Sequence, residues 1–197
     1  MSWFFNLLNA ALYIILIQNL VFSGGYGASE AVRMATKPRR LAAFSIMVAY
    51  FSVLSAVICR ALDFIIQIDR LNLALHSAIF GGVLVILYLE TALAVKLIFK
   101  PGTKFLSMMG MAALNTLVFA IPLLNRRLGN TFAASIGVGI GSGIAFIFAI
   151  SLISIGLRRL ESNPNMPEAF KGAPAMFLYV ALLSMAFTGF SGTSLFA

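Results

Sequence analysis

Gln18-Asn19-Leu20-Val21-Phe22 and Asn115-Thr116-Leu117-Val118-Phe119 decide the fold of this chain. In each, an amide-bearing pair interrupts an otherwise apolar stretch and runs into the same tripeptide. The copies lie 97 positions apart in a chain of 197 residues, one in each half. Leu-Val-Phe recurs by chance in apolar chains, so the amides and the half-length offset carry the weight. Amides are costly in a bilayer core unless something satisfies them. A matched pair therefore points to a duplicated membrane fold with a functional centre between its halves.

Composition agrees. The chain is 61% hydrophobic and only 10% charged, with a mean hydropathy of +1.00, far from a soluble domain. Runs of about 20 apolar residues fit a hydrocarbon core of roughly 30 Å. The net charge of +8 does not imply a nucleic-acid partner, because the basic residues sit in short loops between apolar segments. Charge placed this way records membrane orientation. The bilayer is the first partner, and no nucleic acid is expected. Cys59 and His76 are the one cysteine and the one histidine. A disulfide within the chain is impossible, and a metal or iron–sulfur site made by this chain alone lacks ligands. The expectation is no metal and no cofactor bound by this chain alone. The N-terminus, Met1-Ser2-Trp3-Phe4, has no positive region ahead of its apolar run, so the first segment reads as retained.

The pattern predicts an all-α, polytopic membrane protein of six spans. They cover about 4–22, 41–59, 71–95, 105–124, 131–157 and 173–190. One integral membrane domain, 1–197, divides into halves of about 1–100 and 101–197. Three spans per half is an odd number, so the second half enters the membrane in the opposite sense, as an inverted repeat. The loops 23–40, 96–104 and 158–171 hold ten of the 14 Lys and Arg residues. Arg60, Arg70, Arg126 and Arg127 lie on the other side. The excess assigns the first set to the cytoplasm and both termini to the outside of the cell membrane.

Several segments depart from plain membrane helix. Three glycines in four residues, Gly24, Gly25 and Gly27, would break a helix. Ser29 would then cap a short new helix with Glu30 in its first turn. The segment reads either as a re-entrant break or as an ordinary loop, and Pro122 is the matching candidate breaker in the second half. Gly137, Gly139, Gly141 and Gly143 form two small-xxx-small ridges, expected to pack helices closely. Glu90, in the third span, reads either as a proton or cation site or as a carboxylate paired near the interface. His76 reads as an interface residue. Arg60, Asp63, Asp69 and Arg70 flank Phe64-Ile65-Ile66 and suggest a short interfacial helix with solvated ion pairs.

The chain resembles the membrane subunits of the ion-pumping Rnf and Nqr oxidoreductase complexes, on the RnfA/NqrE side of that family. Phe170-Lys171-Gly172 and Leu183-Ser184-Met185-Ala186-Phe187-Thr188-Gly189-Phe190-Ser191-Gly192 are similar to the family's Phe-Arg-Gly and Leu-Met-Ser-Leu-Ala-Phe-x-Gly-Phe-Ser-Gly. Asn115-Thr116, followed by Leu123-Leu124-Asn125 and Leu128-Gly129, resembles its Thr-Asn-Cys with a later Leu-Leu-Asn and Leu-Gly. Gln18-Asn19 falls on the family's Asn-Asn pair, and Glu90 on an acidic residue of its third span. The resemblance implies six spans in inverted halves. It also implies two homologous subunits, inverted relative to each other, that hold a two-iron cluster with four cysteines. Here the departure begins. The family's cysteines fall on Thr116 and, counted without gaps from Asn19, on Ser29. Hydroxyls do not replace thiolates in ordinary iron–sulfur ligation, and Cys59 lies away from both positions.

The expected function is a membrane subunit of an Rnf/Nqr-type electron-transport and ion-translocating complex. It would act with a homologous partner in a hetero- or homo-oligomer and would not ligate a cluster itself. Flavin or iron–sulfur centres would belong to partner subunits, flavin-bearing ones among them. At most the chain is a non-catalytic subunit of a membrane oxidoreductase, with no catalytic residue of its own. Gln18, Asn19, Asn115, Thr116 and Glu90 are the candidate midplane polar residues of an ion path. A cluster-free secondary transporter, or a membrane scaffold of the same fold, is the alternative.

Overall fold

A computed structural model describes residues 2–66 and 73–190, and every regular element among them is helical. The order is α1 (Ser2–Leu12), running on through a π-helical turn (Tyr13–Ile17), then α2 (Leu20–Gly24), α3 (Ala28–Ala35), α4 (Pro38–Ile66) and α5 (Leu73–Phe99). It continues with α6 (Thr103–Ala113), α7 (Thr116–Arg127), α8 (Phe132–Glu161), a 3₁₀ turn (Glu168–Phe170) and α9 (Ala173–Phe190). Five helical stretches are long and apolar enough to cross a membrane, and Ser2–Ile17 adds a shorter apolar one. The protein is an all-α polytopic membrane protein. An interrupted helix followed by two long ones occurs in residues 2–99, and the same order recurs in residues 103–190.

The sequence accounts for each interruption. The π turn ends where Gln18 N–H donates to Tyr13 O at 2.8 Å. Asn19 then takes an extended conformation and its Oδ1 accepts from Val21 N–H at 3.0 Å, starting α2. Asn115 does the same for α7, its Oδ1 accepting from Leu117 N–H at 2.9 Å. Asparagine is among the best N-cap residues because its short side chain reaches an amide that helix geometry leaves free. The breaks therefore fall inside the stretches 4–22 and 105–124, which are not continuous spans. Pro122 is not the second break: it lies within α7, seven residues past the cap. Ser29 is not a cap either. Gly27, in the left-handed region at φ 72°, precedes α3, and Ser29 Oγ donates to Glu30 Oε2.

Helices α4 and α8 form the centre of the bundle. Gly139 and Gly143 of α8 face α4, and a Cβ at either would lie 2.7 Å from a methyl of Ala56 or Ala49. Gly137 and Gly141 face α1, where a Cβ would strike the carbonyls of Leu7 and Ala11. Each small-residue ridge thus admits a different neighbour to backbone contact. In lipid this matters because association rests on close packing rather than on hydrophobic transfer. Fully buried Phe44, Phe51, Phe146, Ile150 and Ile153 fill the space beside the ridges.

Helices α5 and α9 lie at the periphery. Phe22 of α2 stacks on Phe187 of α9 at 4.8 Å, and Tyr179 Oη of α9 donates to Leu152 O of α8 at 3.2 Å. The Phe170–Phe190 stretch of the family resemblance thus helps hold α9 against the first break. Ser191 and Gly192 lie outside the described residues.

The segment after the second span differs from expectation. Helix α4 runs on to Ile66, so Arg60, Asp63 and Phe64-Ile65-Ile66 belong to a long helix rather than a separate interfacial one. Asp69 and Arg70 lie outside the described residues. Asp63 is not solvated: it is 4% exposed and bonds to His76, itself fully buried rather than at an interface.

Candidate functional site

The glycine turn between α2 and α3 meets the second interruption. Gly27, at the end of that turn, donates its N–H to Thr116 Oγ1, just inside the break between α6 and α7, at 2.8 Å. A Cβ at Gly27 would lie 2.7 Å from Asn115 Oδ1, so only glycine fits both the left-handed backbone and the approach. The end of α2, the start of α3, the end of α6 and the start of α7 thus come together where the chain is otherwise apolar. The starts of α3 and α7 bring free N–H groups, and the ends of α2 and α6 bring free carbonyls.

The capping bonds fix how each amide points. Asn19 and Asn115 must turn oxygen toward the N–H they accept, which leaves Nδ2 as the free donor. Asn19 Nδ2 donates to Ala145 O of α8 at 3.2 Å. Asn115 Nδ2 is buried without a partner among the described residues. The halves are therefore alike in backbone and unlike in satisfaction. An orphaned amide in an apolar surround costs about 1–3 kcal/mol, so Asn115 marks the position where a further group is needed.

A groove of about 870 Å³ opens beside this point. Gly25 and Tyr26 wall one side, Ser77 of α5 the other, and Thr116 through Arg127 of α7 its length. Thr116 is exposed on the groove, Gln18 is half-buried and Ser29 is exposed. Glu90 does not join this group; it stands exposed on α5.

Two features escaped the sequence reading. Pro122 has no N–H, and its ring crowds the carbonyl four residues back, that of Val118. Ser55 Oγ of α4 donates to that carbonyl at 3.1 Å. The second is the pair His76 Nε2 and Asp63 Oδ1 at 3.0 Å, with Arg60 Nη1 3.9 Å from Asp63 Oδ2. Buried Ser45, Ser52, Ser55, Cys59 and Asp63 lie at helical spacing on one face of α4. That periodicity was the one signal in the sequence, since it gives α4 a polar stripe turned inward.

The donors do not fit an iron–sulfur cluster ligated by this chain. The Thr116 hydroxyl accepts from Gly27, the Ser29 hydroxyl is bonded to Glu30, and both are hard oxygens. Among the described residues, no three His, Cys, Asp or Glu side chains gather as for a metal ion.

No protein-family profile matches the chain. Sequence relatives do. Over 78 residues the chain is 42% identical to the RnfA component of the ion-translocating oxidoreductase complex of Aromatoleum aromaticum, and 40% identical to that of Azoarcus sp.. Over 80 residues it is 36% identical to the corresponding component of the proton-translocating ferredoxin:NAD(+) oxidoreductase complex of Clostridium ljungdahlii. The matches cover 40–41% of this chain and the same share of each relative's length. Over this stretch the chain is similar to these membrane-complex components, and its apolar helices are those of a multi-pass membrane protein.

Proposed function

We propose that the chain is an integral membrane subunit of an Rnf/Nqr-type electron-transport and ion-translocating complex, and that it ligates no cluster. Its halves, about 1–100 and 101–197, are inverted repeats, with the termini outside and the loops 23–40, 96–104 and 158–171 in the cytoplasm. The observation that carries this reading is the meeting, through Gly27 and Thr116, of the glycine turn that follows α2 with the Asn115-capped break. Broken helices at depth in a membrane occur where backbone is buried in protein or lines a water-filled path. Here the break supplies N–H groups, carbonyls and hydroxyls in place of bulk water. Asn115 Nδ2 donates to a water of that path, while the carbonyl ends of α2 and α6 offer oxygen to a hydrated cation. Gln18 and Asn19 hold the opposite break in shape.

A homologous subunit, inverted relative to this one, covers the groove beside Thr116. The exposure of Ser29 and Thr116 supports that arrangement, because both stand where the family's cluster ligands are implied. Flavin or iron–sulfur centres then belong to the partners. Glu90, exposed among Leu89, Leu93 and Ile86, is costly toward lipid and is met by a partner group.

Affinity purification from native membranes in mild detergent tests the proposal. Co-purification of a homologous subunit, with flavin or iron in the complex and none with this chain alone, is the expected result. A homo-oligomer that carries no redox centre and transports a solute in proteoliposomes would replace the proposal with the cluster-free transporter.

A further inference from the structure

A second site lies apart from the helix breaks, at the end of the bundle where α3, α4 and α6 meet. A pocket of about 310 Å³ opens there. Arg33 of α3, Lys37 between α3 and α4, Arg40 of α4 and Lys104 of α6 converge on it from both halves of the chain. Among the described residues no carboxylate lies in an ion pair with any of these four cations. Glu30, one helical turn before Arg33, is bonded to Ser29 instead. Four unneutralised cations around one cavity repel one another, and an anion between them removes that cost.

The lining also fits more than a bare charge. Thr103 and Ser107 add two hydroxyls on the first turns of α6. Met34, Met108 and Met111 form an apolar floor, and the Arg33 guanidinium lies against the Met111 sulfur. The volume equals that of about ten waters at roughly 30 Å³ each, enough for a phosphodiester and its glycerol. A basic rim over a thioether floor suits an amphiphile that presents phosphate to the cations and carbon to the methionines.

We propose that this pocket binds the phosphate group of an anionic membrane lipid. The ligand bridges α3–α4 to α6, and so ties the first half of the chain to the second. The site is independent of the ion path, because none of its residues belongs to the helix breaks.

The test uses the full chain in detergent, stripped of lipid, with bound lipid counted by native mass spectrometry and the melting temperature recorded. Phosphatidylglycerol, phosphatidylcholine and inorganic phosphate are the probes. Phosphatidylglycerol binds the wild type and raises its melting temperature, whereas phosphatidylcholine does neither. Arg40→Gln/Lys104→Gln weakens phosphatidylglycerol binding roughly tenfold or more, in line with the contribution of individual basic residues at a membrane surface. Arg158→Gln/Arg159→Gln, at another basic loop, leaves it unchanged. Displacement of the lipid by millimolar inorganic phosphate keeps the phosphate site and assigns it to the free ion. Equal binding of phosphatidylcholine overturns the proposal, since the pocket then does not select an anionic lipid, and equal loss in the Arg158/Arg159 variant overturns it because the binding is then not at this pocket. Both residues replaced in the test pair are exposed, and far-UV circular dichroism verifies that the helices persist.

Discussion

Ser55→Ala removes the hydroxyl that satisfies Val118 O, the carbonyl that Pro122 leaves without its helical donor. Both partners are buried, so the carbonyl loses its hydrogen bond with no water to replace it. The cost of an unsatisfied buried group is about 1–3 kcal/mol. Interhelical bonds measured in membrane bundles average nearer 0.6 kcal/mol, so about 1 kcal/mol is the expected loss. Pro122→Ala restores an N–H four residues after Val118 and closes the α7 ladder. In that background Ser55→Ala should cost no more than about 0.3 kcal/mol, and the coupling between the two substitutions should be about 0.7 kcal/mol. Unfolding of the four proteins of this cycle in mixed micelles, followed by far-UV circular dichroism, gives the number. Equal losses from Ser55→Ala in both backgrounds would refute the reasoning, because the serine would then serve something other than the proline's orphaned carbonyl.

Other outcomes follow from the same packing and bonding. Gly139→Val places a branched side chain where even a Cβ would lie 2.7 Å from Ala56, and should cost about 1–3 kcal/mol or disrupt the bundle. Gly82→Val, where nothing lies within 4 Å, is the matched control and should change the melting temperature little. His76→Ala leaves Asp63 buried with Arg60 at 3.9 Å as its remaining partner. It should destabilise by roughly 3 kcal/mol, more than Asp63→Asn/His76→Ala, which removes the buried carboxylate together with its partner. Thr116→Val deletes the acceptor of the Gly27 N–H and should cost about 1–2 kcal/mol, while Thr116→Ser retains most of the stability. Thermal unfolding in one detergent ranks all of these variants.

Much of the fold was legible because the membrane restricts the choices. Long apolar runs must be helices, and the limits of α5, α8 and α9 lie within a few residues of the spans read from hydropathy. The four glycines of α8 announced close packing through their spacing, although not that the two ridges serve different helices. The amide pairs were legible as anomalies, and their role as caps was not. An asparagine in an apolar run reads as a cost, whereas here it ends one helix and starts the next. Pro122 drew attention for the usual reason, yet α7 tolerates it because Ser55 supplies the missing bond from another helix. That compensation is non-local, and no pattern within α7 reports it. Asp63 misled because it looked like a solvated partner of Arg60. Only the continuation of α4 to Ile66 brings Asp63 against α5 and buries the pair.

The claim at the centre of this account is that the meeting of the Gly27 turn with the break at Asn115 serves ion movement and not only folding. Asn115→Ser separates the two roles, because serine caps a helix as well as asparagine does but has no Nδ2 donor. The measurement is ion uptake driven by electron transfer in membrane vesicles, with assembly of the complex verified by purification. The account predicts a normally assembled complex whose ion uptake falls at least about tenfold, a barrier increase of roughly 1.4 kcal/mol. Uptake equal to wild type in an assembled Asn115→Ser complex would contradict it, and would leave the two breaks as architecture alone.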